Sequence, residues 1–147
     1  VKEDKLKHLE FIQDIITRHN NNSFVIKGWS VTLVIALFAL AADKANLKFV
    51  FIAYIPAVIF WALDSYFLSQ ERQYRELYRE VAAKKDGDQI DFNLNPSAFN
   101  QGKQSWFSSM FSPTLILSHG ALLSVVVLVT FGLVIRFLVG LIACHAG

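Results

Sequence analysis

A chain of 147 residues that is 54% apolar and 18% charged departs from the usual balance of soluble proteins. About half of it falls in long apolar runs, which leaves no room for a separate soluble catalytic domain. The net charge of +2 is too small to argue for nucleic acid, and the basic residues form no stripe interleaved with stacking aromatics.

Residues 1–23 are polar, with Leu6, Leu9, Ile12 and Ile16 along one helical stripe, and predict an amphipathic helix. Asn20-Asn21-Asn22-Ser23 then either breaks that helix or caps a new one at Phe24. The first apolar run, 24–42, has nineteen residues and one charge, Lys27. It follows Glu3, Asp4, Glu10 and Asp14, so it reads as an uncleaved anchor rather than a signal peptide. A turn over 43–46 leads to the second run, 47–68, with Asp64 near its far end. Each run is long enough for a helix to cross a membrane, which takes about 20 apolar residues.

No breaker follows the second run. Tyr74, Leu77, Tyr78 and Val81 share one helical face, and Glu71–Arg75 and Arg72–Glu76 are i,i+4 pairs. The second helix is therefore predicted to run from about Lys48 to Lys84, with 69–85 projecting from the membrane, until Asp86-Gly87-Asp88 stops it. The two projecting stripes must cover each other, meet a neighbouring subunit or lie on the membrane surface. Packing is favoured, because acidic neighbours on both stripes would be repelled by anionic lipid.

In the 86–112 segment, Ile90, Phe92 and Leu94 alternate with Asp91 and Asn93. A short extended strand and a polar loop anchored by a few apolar side chains both fit. Trp106-Phe107 with Met110-Phe111 predicts an interfacial turn before Pro113 opens the third span, 113–143. A tail of 144–147 remains, and Cys144, the single cysteine, cannot form a disulfide within the chain.

Eleven Lys and Arg lie before the first span, at its entry, or between the second and third, against three elsewhere. That bias predicts a cytoplasmic N-terminus, a cytoplasmic 69–112 segment and a periplasmic C-terminus. Trp29, Trp61 and Trp106 fall near the predicted cytoplasmic ends and Arg136 near the outer headgroups, as interfacial anchors.

Asp64 is the sharpest candidate for chemistry, since a carboxylate within a span is costly. It suits a proton or cation site, an interhelix ion pair, or a carboxylate reaching the cytoplasmic interface, and its shallow depth favours the latter two. Asn22, Lys27, Asp64, Glu71, Arg72 and His119 predict one polar belt, with Lys27 or Arg72 paired to Asp64 and His119 bonding between helices. His119 lacks a second ligand at helical spacing, so a metal is not expected. No nucleophile–base pair, glycine-rich phosphate loop or HExxH pattern occurs, so neither enzyme activity nor a cofactor is expected. Ala53 and Ala57, Gly120 and Ser124, and Gly132 and Gly140 mark faces where helices can approach closely.

The stretches Phe11-Ile12-Gln13, Asn22-Ser23-Phe24-Val25-Ile26-Lys27-Gly28-Trp29 and Phe60-Trp61-Ala62-Leu63-Asp64-Ser65-Tyr66-Phe67-Leu68, followed by Gln70-Glu71-Arg72, Arg75 and Leu77-Tyr78, resemble the RipA-type bacterial inner-membrane family over residues 9–82. That resemblance implies an octameric inner-membrane protein with no assigned enzyme activity. It carries over to Asn22, Lys27, Trp29, Asp64, Gln70, Glu71, Arg72 and Arg75. The resulting expectation is an all-α, three-span protein with cytoplasmic helical extensions, forming a symmetric homo-oligomeric scaffold. Its partners are copies of itself, membrane lipids and an undefined cytoplasmic protein, without nucleic acid. The alternative is a ring-shaped channel or membrane-perturbing effector.

Overall fold

A computed structural model of the chain describes residues 2–44, 48–85 and 88–145, and their regular structure is entirely helical. Helix α1 covers Lys2–Lys44, α2 covers Lys48–Ile52 and α3 covers Tyr54–Ala83. After two short 3-10 turns come α4 (Trp106–Met110) and α5 (Pro113–Leu115), then a π-helical turn, Ile116–Gly120, and α6 (Ala121–His145). Three helical stretches are long and apolar enough to cross a membrane.

Helix α1 does not break at Asn20–Ser23 but continues through it. Asparagine and serine favour caps when their side chains turn back to the local backbone. Here Ser23 is committed elsewhere: its hydroxyl donates to Asp64 on α3. Tertiary pairing thus outweighs the small local cost of a polar run inside a helix. The second helix does break, at Ala53, where the sequence pattern predicts continuity. Pro56 supplies the cause, since proline has no N–H to give Ile52 and its ring crowds that carbonyl. At the other end α3 stops at Ala83, with Lys84 already extended. The 45–46 part of the connection, the Asp86-Gly87 part of the stop, residues 146–147 and the side chain of Cys144 lie outside the described residues.

Helices α1 and α3 pack antiparallel along their length, through two clusters. At one end Ile12 and Ile16 meet Leu77 and Val81, with Leu9, Tyr74, Tyr78 and Phe99 against them. The two amphipathic stripes therefore cover each other. Leu6 departs from its predicted place on the stripe and is exposed. The neighbouring His8 is buried instead, its Nε2 lying 3.0 Å from the Asn93 carbonyl oxygen and its ring packing on Phe92. Further along, Val34, Ala53, Ala57 and Val126 bring α1, the α2–α3 junction and α6 together. The small side chains of Ala53 and Ala57 permit that approach. By contrast, a methyl group placed on Gly132 or Gly140 would meet nothing within 4 Å.

The 88–105 segment forms no strand among the described residues. Phe92 has φ of 51°, in the left-handed region, which costs a residue with a side chain about 1–2 kcal/mol and ends the alternation a strand needs. Its ring is held by His8 and Phe11. The loop reading holds, with apolar anchors.

His19 sits where the two helices leave the apolar runs. Its ring stacks on Tyr74, 5.6 Å between centroids, and contacts Phe67. Burial pushes the imidazole below its ordinary range; Arg18 adds to this and Glu71 opposes it. The unfolded chain therefore binds this proton more readily than the folded one. The resulting stabilisation is complete above about pH 6.5 and is lost as pH falls below it. Amide protection in 2–20 and 70–83, corrected for the intrinsic pH dependence of exchange, is expected to fall on acidification. His19→Phe should remove the part of that response that belongs to this ring.

Candidate functional site

The site forms where three long helices meet, around one carboxylate. Asp64 is fully buried. One oxygen, Oδ1, accepts from the Ser23 hydroxyl, and the other, Oδ2, accepts from Lys27 Nζ at 2.6 Å and His119 Nε2 at 2.8 Å. Lys27 Nζ also donates to Ser23 Oγ at 2.7 Å. Ser23 and Lys27 are four residues apart on α1, so both project from one face toward α3. The fixed charge of Asp64 is thus met by one cation and two hydrogen bonds from two other helical segments. Such satisfaction is what a buried charge needs to be tolerated.

His119 reaches Asp64 because the helix is locally wider. Ser112 caps its start, accepting from Leu115 N, and Pro113 takes the first position. The π-helical turn Ile116–Gly120 then inserts an extra residue per turn. His119 is turned inward and buried, while Ile116 and Leu117 stay exposed. Trp61 lies nearly parallel to the imidazole, 6.4 Å between centroids and 6° between planes. Its indole N–H donates to the Met110 carbonyl at 3.0 Å, which ties α3 to the end of α4. With Nε2 donating to the carboxylate, His119 Nδ1 is left buried without a partner among the described residues, as is Ser30 Oγ.

A second set of bonds straps the 100–112 segment onto α3. Ser69 Oγ donates to the Gln104 carbonyl at 2.6 Å, Arg72 Nη1 to the Lys103 carbonyl at 2.8 Å, and Trp106 Nε1 to the Ala62 carbonyl at 2.9 Å. Gln73 adds a bond to Ser69. Ser69 and Arg72 thereby satisfy backbone carbonyls that an irregular segment would otherwise leave open.

Lys27, Asp64 and His119 of the predicted belt come together, and of the two candidate partners for Asp64 the lysine is the one that meets it. Arg72 belongs instead to the strap, also reaching Ser109 Oγ at 3.3 Å. Glu71 pairs with Arg75 at 2.7 Å, two turns from Asp64. Asn22 is half-buried beside Ser23 but is not a ligand of the carboxylate. Trp29 is exposed, as an interfacial anchor would be, and Arg136 lines a cleft of about 730 Å³ with Phe38, Val50 and Leu133. Trp61 and Trp106 differ from simple anchors, since both indole N–H groups are spent on backbone carbonyls of the chain. Ser23, Ser69 and Gln73 are site residues that sequence reasoning missed. Ser23 carried a signal in its i,i+4 spacing to Lys27; Ser69 and Gln73 carried none.

Chemically, the arrangement holds a proton between an imidazole and a carboxylate beside an ammonium group. Among the described residues no three His, Cys, Asp or Glu side chains converge. No protein-family model, curated protein or solved structure matches the chain.

Proposed function

We propose that the chain is a non-enzymatic, three-span protein of a bacterial inner membrane. Its N-terminus is cytoplasmic and its C-terminus periplasmic, and it assembles into a symmetric homo-oligomeric scaffold. The observation that carries this reading is the unbroken α1, a 43-residue helix whose projecting part stays packed on α3. The first span and its extension are one continuous helix, bonded to α3 at Asp64. A stalk of that kind presents a fixed surface outside the membrane, as a scaffold requires. The apolar surface of α6, almost all of it outward-facing, is available to lipid or to neighbouring copies. The subunit number of eight rests on the resemblance over 9–82 alone.

A ring-shaped channel or membrane-perturbing effector draws on a different observation. His119 Nδ1 and Ser30 Oγ are polar and without a partner among the described residues, buried within the spans, where an unmet polar group is costly. The two readings separate by mass and conductance. Native mass spectrometry of the detergent-solubilised protein should give one species of eight 16.6 kDa chains, silent in planar bilayers. A monomer would overturn the scaffold, and discrete conductance steps would favour the channel.

A further inference from the structure

Outside the Asp64 site, one groove combines charge with an apolar edge. It has a volume of about 470 Å³ and is lined by Arg72, Arg75, Arg79 and Lys103, with Glu76 as its one carboxylate. Arg79 pairs with Glu76 at 2.7 Å and Arg75 with Glu71 at 2.7 Å, so two cations remain uncompensated. Arg72 donates to neutral oxygens, the Lys103 carbonyl and Ser109 Oγ, and keeps its full charge. The Lys103 ammonium meets no carboxylate among the described residues.

Phe111, Ser112 and Pro113 also line the groove, where the third apolar stretch begins. Phe111 packs edge-on against Phe107, 5.3 Å between centroids, and both rings are exposed. Arg72 stands eight residues beyond Asp64, about 12 Å along the helix. The cations thus begin where the apolar surface ends. A soluble anion would use the cations and ignore the paired rings. An amphiphile with a phosphodiester head and acyl chains uses both, and basic pockets at this level of a membrane bind such heads.

We propose that this groove is a binding site for an anionic phospholipid, its phosphate between Arg72 and Lys103 and its chains along Phe107 and Phe111. The proposal rests on the three-span reading and not on the subunit number.

The test is a titration of the detergent-solubilised full chain with phosphatidylglycerol or phosphatidylcholine, counting bound lipid by native mass spectrometry. Phosphatidylglycerol should bind more tightly. The Arg79→Gln/Lys103→Gln pair spares the Arg72 strap and changes exposed side chains. It removes Lys103, one of the two phosphate cations, and leaves Glu76 without its arginine, so phosphatidylglycerol binding should weaken at least roughly fivefold while phosphatidylcholine is unchanged. Phe107→Ser should weaken phosphatidylglycerol without any change of charge. Equal binding of the two lipids, an unaffected double variant, or an equal loss in Arg136→Gln at the far end would overturn the site. Displacement of the lipid by excess inorganic phosphate would make it a soluble-anion site. A change of particle mass in lipid-free double variant would make it a contact between copies. Either result would overturn the lipid assignment. A chain that stayed soluble without detergent would instead contradict the spans, which is a separate failure.

Discussion

Asp64→Leu is expected to cost the folded chain about 3 kcal/mol, the low end for removing one member of a buried ion pair. The low end applies because Lys27 is 32% exposed and can turn its ammonium toward headgroups once the carboxylate is gone. His119 and Ser23 have no such escape, being 3% and 8% exposed. Their donors would stay buried and unmet, which costs about 1–3 kcal/mol each before relaxation. Asp64→Asn should lie between, since an amide oxygen still accepts from Ser23 but offers Lys27 no charge. Denaturant titration in mixed micelles reads these differences directly. A leucine variant within about 0.5 kcal/mol of wild type, the range of ordinary surface substitutions, would contradict the expectation.

The second large effect is expected away from the spans. Leu77 is 5% exposed between Ile12 and Ile16, so Leu77→Ala removes buried volume that two straight helices cannot close over. About 3 kcal/mol is expected, within the usual range for such a truncation. The loss should be local. Amide exchange should rise over 2–20 and 70–83 while 24–42 stays protected, because the Asp64 junction separates the extension from the spans. Leu6→Ala serves as the contrast, since Leu6 is 61% exposed, and its effect should be within about 0.5 kcal/mol. If both variants behaved alike, the observed face of α1 would be wrong and the simple Leu6–Ile16 stripe right.

Much of the architecture is legible in the residues themselves. Runs of nineteen and more apolar residues leave few alternatives to helices, and the Tyr74–Val81 repeat names the face of α3 that meets α1. The Lys27–Asp64 and His119–Asp64 contacts are legible for a related reason: costly groups at similar depth find each other. What stays hidden depends on competition between local and tertiary preferences. Asn20–Ser23 carries a cap signal, but Asp64 takes the Ser23 hydroxyl, and no local pattern encodes that contest. The π-helical turn that aims His119 inward has no composition signature, since a helix gains one residue per turn without a change of residue type. Pro56 was a readable break, masked by the apolar run around it. Trp61 and Trp106 look like membrane anchors because their type and depth fit. Their actual bonds depend on how the 100–112 segment folds back on α3, which puts the Met110 carbonyl within reach of Trp61 and Trp106 within reach of the Ala62 carbonyl.

The central claim is that Asp64 and Lys27 act as a pair that holds the register of α1 and α3. The most direct measurement is a double-mutant cycle of Lys27→Leu, Asp64→Leu and the two together, followed by unfolding in mixed micelles. If the pair is the unit, the double variant loses less than the two single losses summed, because it buries no unpaired charge, and the coupling exceeds about 1 kcal/mol, while the unmet donors of His119 and Ser23 keep part of the loss. Losses that add within about 0.5 kcal/mol would show two independent residues, and the lock between the helices would have to be sought elsewhere.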